Sequence, residues 1–169
     1  MKDNSRRKFV KQATASAASF YIVPSHVISG LGHKAPSDKL NIAGVGIGGK
    51  GRPTLNAMKS ENIVSLCDTD WSYSKPCFAD FPKAKKYYDW RNMFDEMGKD
   101  IDAVMVATPD HTHAIVAATA LIMDKHVYCQ KPLTHSIYES RLLTRLAEIH
   151  PVATQMGNQG NSGIDAKEL

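Results

Sequence analysis

From Leu40 onwards, short apolar runs alternate with stretches whose apolar residues recur at helical spacing. This alternation predicts an α/β fold in which helices cover both faces of a doubly wound parallel sheet. The predicted strands are Leu40 to Val45, Ile63 to Cys67, Lys86 to Tyr88, Ala103 to Thr108, His126 to Cys129 and Val152 to Gln155.

Helices are predicted between these strands. Pro53 is expected at a first helical position, where its missing N–H is no loss. The stretch from Ile115 to Met123 is apolar nearly all round, which predicts a helix packed deeply against the sheet. The helix before the last strand is expected to bury a stripe formed by Tyr138, Leu142, Leu146 and Ile149.

The first residues have the pattern of an export signal. Ser5 to Lys11 is basic, and an uncharged stretch rich in Ala and Ser follows from Gln12 to Ser25. This predicts a twin-arginine signal and a periplasmic protein that meets the export machinery; a basic amphipathic helix is the alternative. The uncharged stretch is too mildly apolar for a spanning helix, so a cleaved leader is favoured over an anchor.

The chain is expected to have three parts. Residues 1–39 hold the signal and a linker, residues 40–162 form the folded domain, and residues 163–169 begin a second domain that is essentially missing. The first twelve residues contain five Lys and Arg against one Asp, which accounts for the net charge of +4. The neutral remainder has no field to attract nucleic acid, so a nucleic-acid partner is not expected.

A glycine-rich loop follows the first predicted strand. The run from Gly44 to Gly51 contains the pattern G-x-G-x-x-G in two registers, and the register of Gly46, Gly48 and Gly51 places its last glycine beside Pro53. Glycines permit the tight turn, the close approach of a pyrophosphate and the packing of the helix on its strand. Exposed N–H groups at the start of the helix would then bind the anion.

An acidic residue ends the second predicted strand. Asp68 stands 22 residues after Gly46, where a carboxylate can accept hydrogen bonds from both ribose hydroxyls of an adenosine. A carboxylate there also repels a 2′-phosphate, so NAD is favoured over NADP. The basic residues Lys50 and Arg52 lie nearby, so NADP stays open as the alternative cofactor. The alternative for Asp68 is an ordinary turn carboxylate.

Polar residues also follow the later strands. The fourth strand leads into Thr108, Pro109 and Asp110, where ligands of parallel sheets bind, and Asp110 or Thr112 is expected to cap the next helix. The fifth strand leads into Gln130-Lys131-Pro132, where the lysine can donate to a substrate hydroxyl or lie near a nicotinamide. The alternative for Lys131 is an ordinary loop lysine. The sixth exits into a polar, glycine-rich loop that includes Asn158.

Neither the cysteines nor the histidines predict a metal site. Cys67, Cys77 and Cys129 stand at unrelated spacings, so buried thiols are expected rather than zinc ligands or disulfides. His111 and His113 would not share a face of a helix, and no His-x-x-x-His or Glu-rich set accompanies them. A satisfied or cofactor-contacting histidine is therefore favoured.

Together, these motifs resemble the glucose-fructose oxidoreductase, inositol dehydrogenase and MocA family over about Leu40 to Ser162. The resemblance implies a Rossmann domain that binds NAD or NADP, followed by an α+β domain that closes over a sugar or cyclitol. The motifs are the glycine loop, Asp68, the run from Thr108 to His113, Gln130-Lys131-Pro132 and the turn Met156-Gly157-Asn158.

The resemblance also assigns roles to individual residues. Gly49 and Lys50 match contacts to the cofactor phosphates, and Asp68 matches the ribose contact. The loop from Asp110 to His113 matches a nicotinamide-side loop, and Asn158 matches a further cofactor contact. Lys131 matches the catalytic-site lysine of the Glu-Lys-Pro motif, which orients substrate and nicotinamide and often has a cis bond to the proline.

One position departs from the family pattern. Gln130 replaces the usual Glu, which removes a charge beside Lys131 but leaves a side chain that both accepts and donates hydrogen bonds. The general acid or base of the family, a His or Tyr, lies in the second domain, so this chain alone is expected to bind cofactor and turn over poorly or not at all.

The expected function is hydride transfer on a sugar or cyclitol hydroxyl. Because twin-arginine export moves folded proteins, NAD is expected to travel already bound, and the reaction is expected to be redox-neutral, as in glycosidases or epimerases that use bound NAD. The alternatives are a non-catalytic NAD-binding remnant or interaction subunit, and a metal hydrolase. Assembly into a homo-oligomer is left open.

Overall fold

A computed structural model describes residues 38–159 of the chain. The predicted export signal lies outside the described residues, as do the predicted start of a second domain at 163–169 and the last three residues of the predicted folded domain. No helix within residues 38–159 is long and apolar enough to cross a membrane.

The described part contains a sheet of six strands, and all five neighbouring pairs are parallel. The strands are β1 (Asn41–Val45), β2 (Asn62–Cys67), β3 (Lys85–Tyr87), β4 (Ala103–Val106), β5 (His126–Gln130) and β6 (Thr154–Gly157). Their order in the sheet is β3-β2-β1-β4-β5-β6, which is the order of a Rossmann sheet. The predicted fold class is therefore confirmed.

Five helices connect these strands and pack on the two faces of the sheet. The helices are α1 (Gly51–Ala57), α2 (Trp71–Asp80), α3 (Trp90–Met97), α4 (Asp110–Ile122) and α5 (Ile137–Ile149). Helices α1 and α2 contribute Leu55 and Phe78 to one core cluster. Helices α3, α4 and α5 contribute Phe94, Val116 and Leu143 to a second cluster.

The central strands are apolar on both faces because both faces are covered. In β4, Val104 and Val106 belong to the cluster beneath α3 to α5, while Met105 between them belongs to the cluster beneath α1 and α2. Successive side chains of a strand point to opposite faces, so a continuous apolar run serves two cores. This explains why β1 and β4 read as unbroken hydrophobic segments.

Two local predictions about helix starts were wrong. Helix α1 begins at Gly51, so Pro53 is its third residue, still within the first turn where a missing N–H is tolerated. Helix α4 begins at Asp110, and no side chain caps it. The hydroxyl of Thr112 instead donates to the carbonyl of Pro109 at 2.9 Å.

The predicted buried stripe of α5 was also wrong. Tyr138 and Ile149 are 76% and 71% exposed, whereas Leu143 is buried and Leu146 packs partly against the core. Leu142 and Leu143 are adjacent in sequence, so they point in different directions and begin two different apolar lines along this helix. Packing against α4 selects the line through Leu143, a choice that helical spacing alone does not make.

Candidate functional site

The carboxyl ends of β1 and β4 border a cleft of about 520 Å³. The chain leaves these neighbouring strands through helices on opposite faces of the sheet, so their loops separate and leave a crevice between them. The predicted site residues that line this cleft are Gly46, Gly48, Gly49, Lys50, Asp68, Thr108 and Pro109.

The glycine loop is shaped by close backbone approaches. Gly46 has a φ of +75°, and a Cβ on it would lie 2.5 Å from the amide nitrogen of Thr108. A Cβ on Gly51 would overlap the carbonyl oxygen of Gly46. A Cβ on Gly44 would instead meet the flexible end of Leu55 at 2.8 Å, so the structure supports the register that starts at Gly46.

Asp68 connects the end of β2 to the glycine loop. Its Oδ2 accepts hydrogen bonds from the amides of Ile47 at 2.9 Å and Gly48 at 3.0 Å, and its Oδ1 accepts from the amide of Asp70 at 3.0 Å. An ionised carboxylate offers about four acceptor positions, so room remains for a further donor. Asp68 therefore fixes the loop and still faces the cleft.

Two loop amides are free to bind an anion. Within residues 38–159, the N–H groups of Gly49 and Lys50 have no hydrogen-bond partner, and both residues line the cleft. Backbone amides in a tight turn form a concave anion site. The loop therefore fits the phosphates of a dinucleotide through its amides and through the exposed Lys50 side chain.

Arg52 is held away from the cleft. Its guanidinium forms a two-point ion pair with Asp80, at 2.7 and 3.1 Å, and Asn56 donates to the same carboxylate. The hydrogen bond to Asp80 raises the pKa of Arg52, and the hydrogen bond from Arg52 lowers the pKa of Asp80. Arg52 is not among the residues that line the cleft.

The opposite wall of the cleft comes from the loop after β4. The Oγ1 of Thr108 is buried and has no hydrogen-bond partner within the described residues. Pro109, His111 and Thr112 continue this wall. An unpaired buried hydroxyl costs free energy unless a ligand or water satisfies it, so Thr108 fits a polar group bound in the cleft.

Sequence reasoning missed an aromatic wall. Tyr73, Tyr88 and Trp90 all line the cleft near Asp68. Trp71 stacks on Tyr88 with the ring centroids 3.9 Å apart and the planes nearly parallel. These residues follow β2 and β3, and the order of the sheet brings them together. The available signal was aromatic residues within six positions of two observed strand ends, namely Trp71 and Tyr73 after β2 and Tyr88 and Trp90 after β3.

The remaining predicted residues are not part of the cleft lining. Lys131 is exposed, and its peptide bond to Pro132 is cis, as the family resemblance implied. His113 is buried, and its Nδ1 lies 2.6 Å from the carbonyl oxygen of Pro132, so this ring nitrogen donates. Asn158 is exposed after β6. The predicted residues outside the cleft lining are Gly51, Asp110, His113, Gln130, Lys131 and Asn158.

Gln130 is a buried residue at the carboxyl end of β5. It is 4% exposed, and its Nε2 donates to the hydroxyl of Thr54 on α1 at 3.3 Å. Its Oε1 accepts from the amide of Lys131 at 3.3 Å. The carboxamide is thus held between the glycine-loop helix and the turn that carries Lys131.

Metal ligands do not gather in the described part of the chain. Among residues 38–159, no three His, Cys, Asp or Glu side chains come together in a metal-binding group. The three cysteines are buried and free. Burial raises the pKa of Cys67 and of Cys129 to about 12, and that of Cys77 to about 11.

The strand order, the glycine loop and the carboxylate after β2 define a dinucleotide-binding α/β domain. The model of the Gfo/Idh/MocA oxidoreductase family, described as an NAD-binding Rossmann fold, matches residues 40–158. The chain belongs to this family. Its cofactor is NAD, and the free amides, the Asp68 carboxylate and the unpaired Thr108 hydroxyl fit that group.

Known proteins similar to this chain include dehydrogenases of cyclitols. Inositol 2-dehydrogenase of Salmonella typhimurium is 30% identical over 98 residues, which cover 56% of this chain and 29% of that protein. The structure of myo-inositol 2-dehydrogenase from Lactobacillus plantarum matches with a TM-score of 0.68 and 21% identity, over 77% of this chain and 39% of that one.

An oxidoreductase from Agrobacterium radiobacter, crystallised with NAD+, L-tartaric acid and magnesium, matches with a TM-score of 0.66 and 23% identity. The match covers 73% of this chain and 36% of that one. The chain therefore spans about a third of the length of these three proteins. At this identity, the structural likeness establishes the fold.

Proposed function

We propose that this chain is the NAD-binding part of an oxidoreductase that transfers hydride to or from a hydroxyl-bearing carbon of a sugar or cyclitol. The observation that carries the proposal is the position of Asp68, which fixes the glycine loop and faces the same cleft as the free amides of Gly49 and Lys50. One site thus offers donors for phosphates and an acceptor for a ribose.

Each part of the cleft has a role in this proposal. The amides of Gly49 and Lys50 bind the pyrophosphate, and Asp68 accepts from the adenosine ribose. The loop from Thr108 to His113 borders the nicotinamide side, where Lys131 orients the substrate hydroxyl. When bound, NAD supplies the hydride acceptor, and a base outside residues 38–159 takes the hydroxyl proton.

The substrate class rests on relatives and on the resemblance, since the cleft itself does not select a sugar. The similar Salmonella and Lactobacillus proteins are inositol dehydrogenases, whose substrates carry several adjacent hydroxyls. The chain spans only about a third of the length of those proteins.

Export by the twin-arginine route is part of the proposal, and it bears on the reaction. A protein exported folded would carry NAD with it into the periplasm, where free nicotinamide cofactor is scarce. The intact enzyme would then return NAD to its starting state in each cycle, as in elimination or epimerisation. Intact enzyme purified from periplasm should turn over without releasing NADH; sustained release of NADH would contradict this.

A second candidate is an NAD-binding subunit without catalysis of its own, which assembles with copies of itself or with a partner. Gln130 favours this second candidate. Where the family usually has a Glu beside the lysine, this chain has an uncharged side chain that cannot relay a proton. Fusing the chain to the part of the Salmonella inositol 2-dehydrogenase that lies beyond the matched region separates the two candidates. Hydride transfer to NAD with an inositol substrate supports the enzyme, and its absence in a fusion that binds NAD supports the subunit.

Calorimetric titration of the full chain tests cofactor binding. NAD should bind, NADP should bind more weakly, and Asp68→Ala should abolish or strongly weaken NAD binding. Asp95→Ala is the matched control, because Asp95 is an exposed carboxylate on α3 without a hydrogen bond or ion pair within residues 38–159. Zinc binding without NAD binding would instead support a metal hydrolase and overturn the proposal.

A further inference from the structure

A buried line of hydrogen bonds joins the glycine loop to the turn after β5. The hydroxyl of Thr54 donates to the carbonyl oxygen of Lys50 at 2.9 Å and accepts from Nε2 of Gln130 at 3.3 Å. Oε1 of Gln130 accepts from the amide of Lys131 at 3.3 Å. Thr54 is 9% exposed and Gln130 is 4% exposed, so little water competes for these bonds.

The direction of every bond in this line is fixed by chemistry. The single hydroxyl proton of Thr54 points to the Lys50 carbonyl, so the hydroxyl oxygen can only accept from Gln130. The amide of Lys131 is a donor, so it must meet the oxygen of the Gln130 carboxamide. A carboxamide satisfies both neighbours at once. An ionised carboxylate has no proton to give to Thr54 and would draw the hydroxyl proton away from Lys50.

The two ends of the line lie at the two ends of the proposed site. Lys50 belongs to the loop whose free amide faces the cleft, and Lys131 follows the strand end where substrate and nicotinamide would meet. Thr54 and Gln130 are 76 positions apart in sequence, and the hydrogen bond between them connects α1 to β5.

We infer that Thr54 and Gln130 are positioning residues that couple the phosphate-binding loop to the backbone of Lys131. Occupation of the loop by the cofactor phosphates holds the Lys50 carbonyl, and through Thr54 and Gln130 it holds the amide of Lys131. This inference rests on the proposed NAD site. The carboxamide of Gln130 therefore orients the backbone of Lys131 and takes no part in proton transfer.

NAD affinity of the full chain is the first test. Thr54→Val and Gln130→Met remove the shared bond while keeping side-chain size, and each should weaken NAD binding about tenfold. The double variant should lose little more than either single variant, because both remove the same connection. Thr54→Ser keeps the hydroxyl and should bind within about twofold of the wild type.

Thr119→Val provides the matched control. The Thr119 hydroxyl donates to the carbonyl four residues earlier, at 2.9 Å, as that of Thr54 does, but it has no bond to Gln130. Its loss should leave NAD affinity unchanged. Equal weakening by Thr119→Val, or additive losses in the double variant, would overturn the coupling and indicate a general effect on helix stability.

Hydrogen exchange of the Lys131 amide in the cofactor-free chain is the second test. Thr54→Val should speed this exchange about tenfold, although the substitution lies on another element, whereas Thr54→Ser and Thr119→Val should not. An unchanged Lys131 exchange rate in Thr54→Val would overturn the inference. Failure of the wild type to bind NAD would contradict the proposed function instead. The exchange measurement would still show whether Thr54 is coupled to the Lys131 amide.

Discussion

Asp68 accepts a hydrogen bond from the amide of Gly48 at 3.0 Å, and this bond joins the residue that would hold a ribose to the loop that would hold the phosphates. The same oxygen also accepts from Ile47. The carboxylate thus shapes the loop before any cofactor arrives. Removing it would affect two parts of the site together.

Two substitutions at position 68 separate these effects. Asp68→Ala removes both the ribose acceptor and the loop contacts, so NAD affinity should fall on the order of a hundredfold. Asp68→Asn keeps an oxygen that can face the loop amides but removes the charge that repels a 2′-phosphate. It should therefore lose less NAD affinity and bind NADP relatively better, as measured by calorimetry with both cofactors. An unchanged ratio of the two dissociation constants would contradict this role of the charge.

Gly46 should tolerate no side chain. Gly46→Ala places a methyl group 2.5 Å from the Thr108 amide nitrogen at a φ of +75°, so the free energy of unfolding should fall by about 2 kcal/mol or more and NAD binding should be lost. Urea unfolding measures the first effect. Lys50→Ala, an exposed change in the same loop, should alter stability by less than about 0.5 kcal/mol. Wild-type stability in Gly46→Ala would contradict the loop geometry.

The sequence predicted the elements whose signal is local. The glycine loop and the strand-end position of Asp68 could be predicted because a tight turn and a carboxylate after a strand follow directly from residue type and spacing. The aromatic wall was missed, since Tyr73 and Tyr88 come together only through the order of the strands. The bond between Thr54 and Gln130 was missed for the same reason.

Local sequence also did not show which apolar side of α5 is buried. Leu142 and Leu143 both continue an apolar line, and only the position of α4 decides which one faces inwards. The cis bond at Pro132 was expected from the family resemblance, and the structure confirms it. Residue chemistry alone did not require it.

The thiols should be unreactive in the folded protein. Burial raises the pKa of Cys67 and Cys129 to about 12 and that of Cys77 to about 11, so almost no thiolate forms at pH 8. Ellman's reagent should label none of the three quickly in native protein and all three in urea. Rapid labelling of native protein would contradict the described burial.

The same raised pKa values predict a dependence of stability on pH. Each thiol keeps its proton in the folded state above pH 9.0, its usual pKa, whereas the unfolded chain releases it. The unfolded state then binds fewer protons, so this contribution to the free energy of unfolding is full below about pH 9 and declines towards pH 11 to 12. Urea unfolding between pH 8 and 11 should show the decline, and replacing the three Cys with Ala should reduce its slope.

The start of α5 should matter for stability but not for cofactor binding. Ser136 and Glu139 form a capping box, in which the Ser136 hydroxyl accepts from the Glu139 amide and Glu139 accepts from the Ser136 amide at 2.8 Å. Ser136→Ala should lower the free energy of unfolding by about 1 kcal/mol. Ser72→Ala, at an exposed serine on α2 without a hydrogen bond, should change it little. A weaker NAD affinity in Ser136→Ala would contradict the separation of this helix from the site.

A crystal structure of the chain with NAD would decide whether the cleft is the cofactor site. The pyrophosphate should lie against the amides of Gly49 and Lys50, with a ribose hydroxyl within hydrogen-bond distance of Asp68. A cleft left empty at saturating NAD, or a dinucleotide bound elsewhere on the sheet, would contradict this expectation.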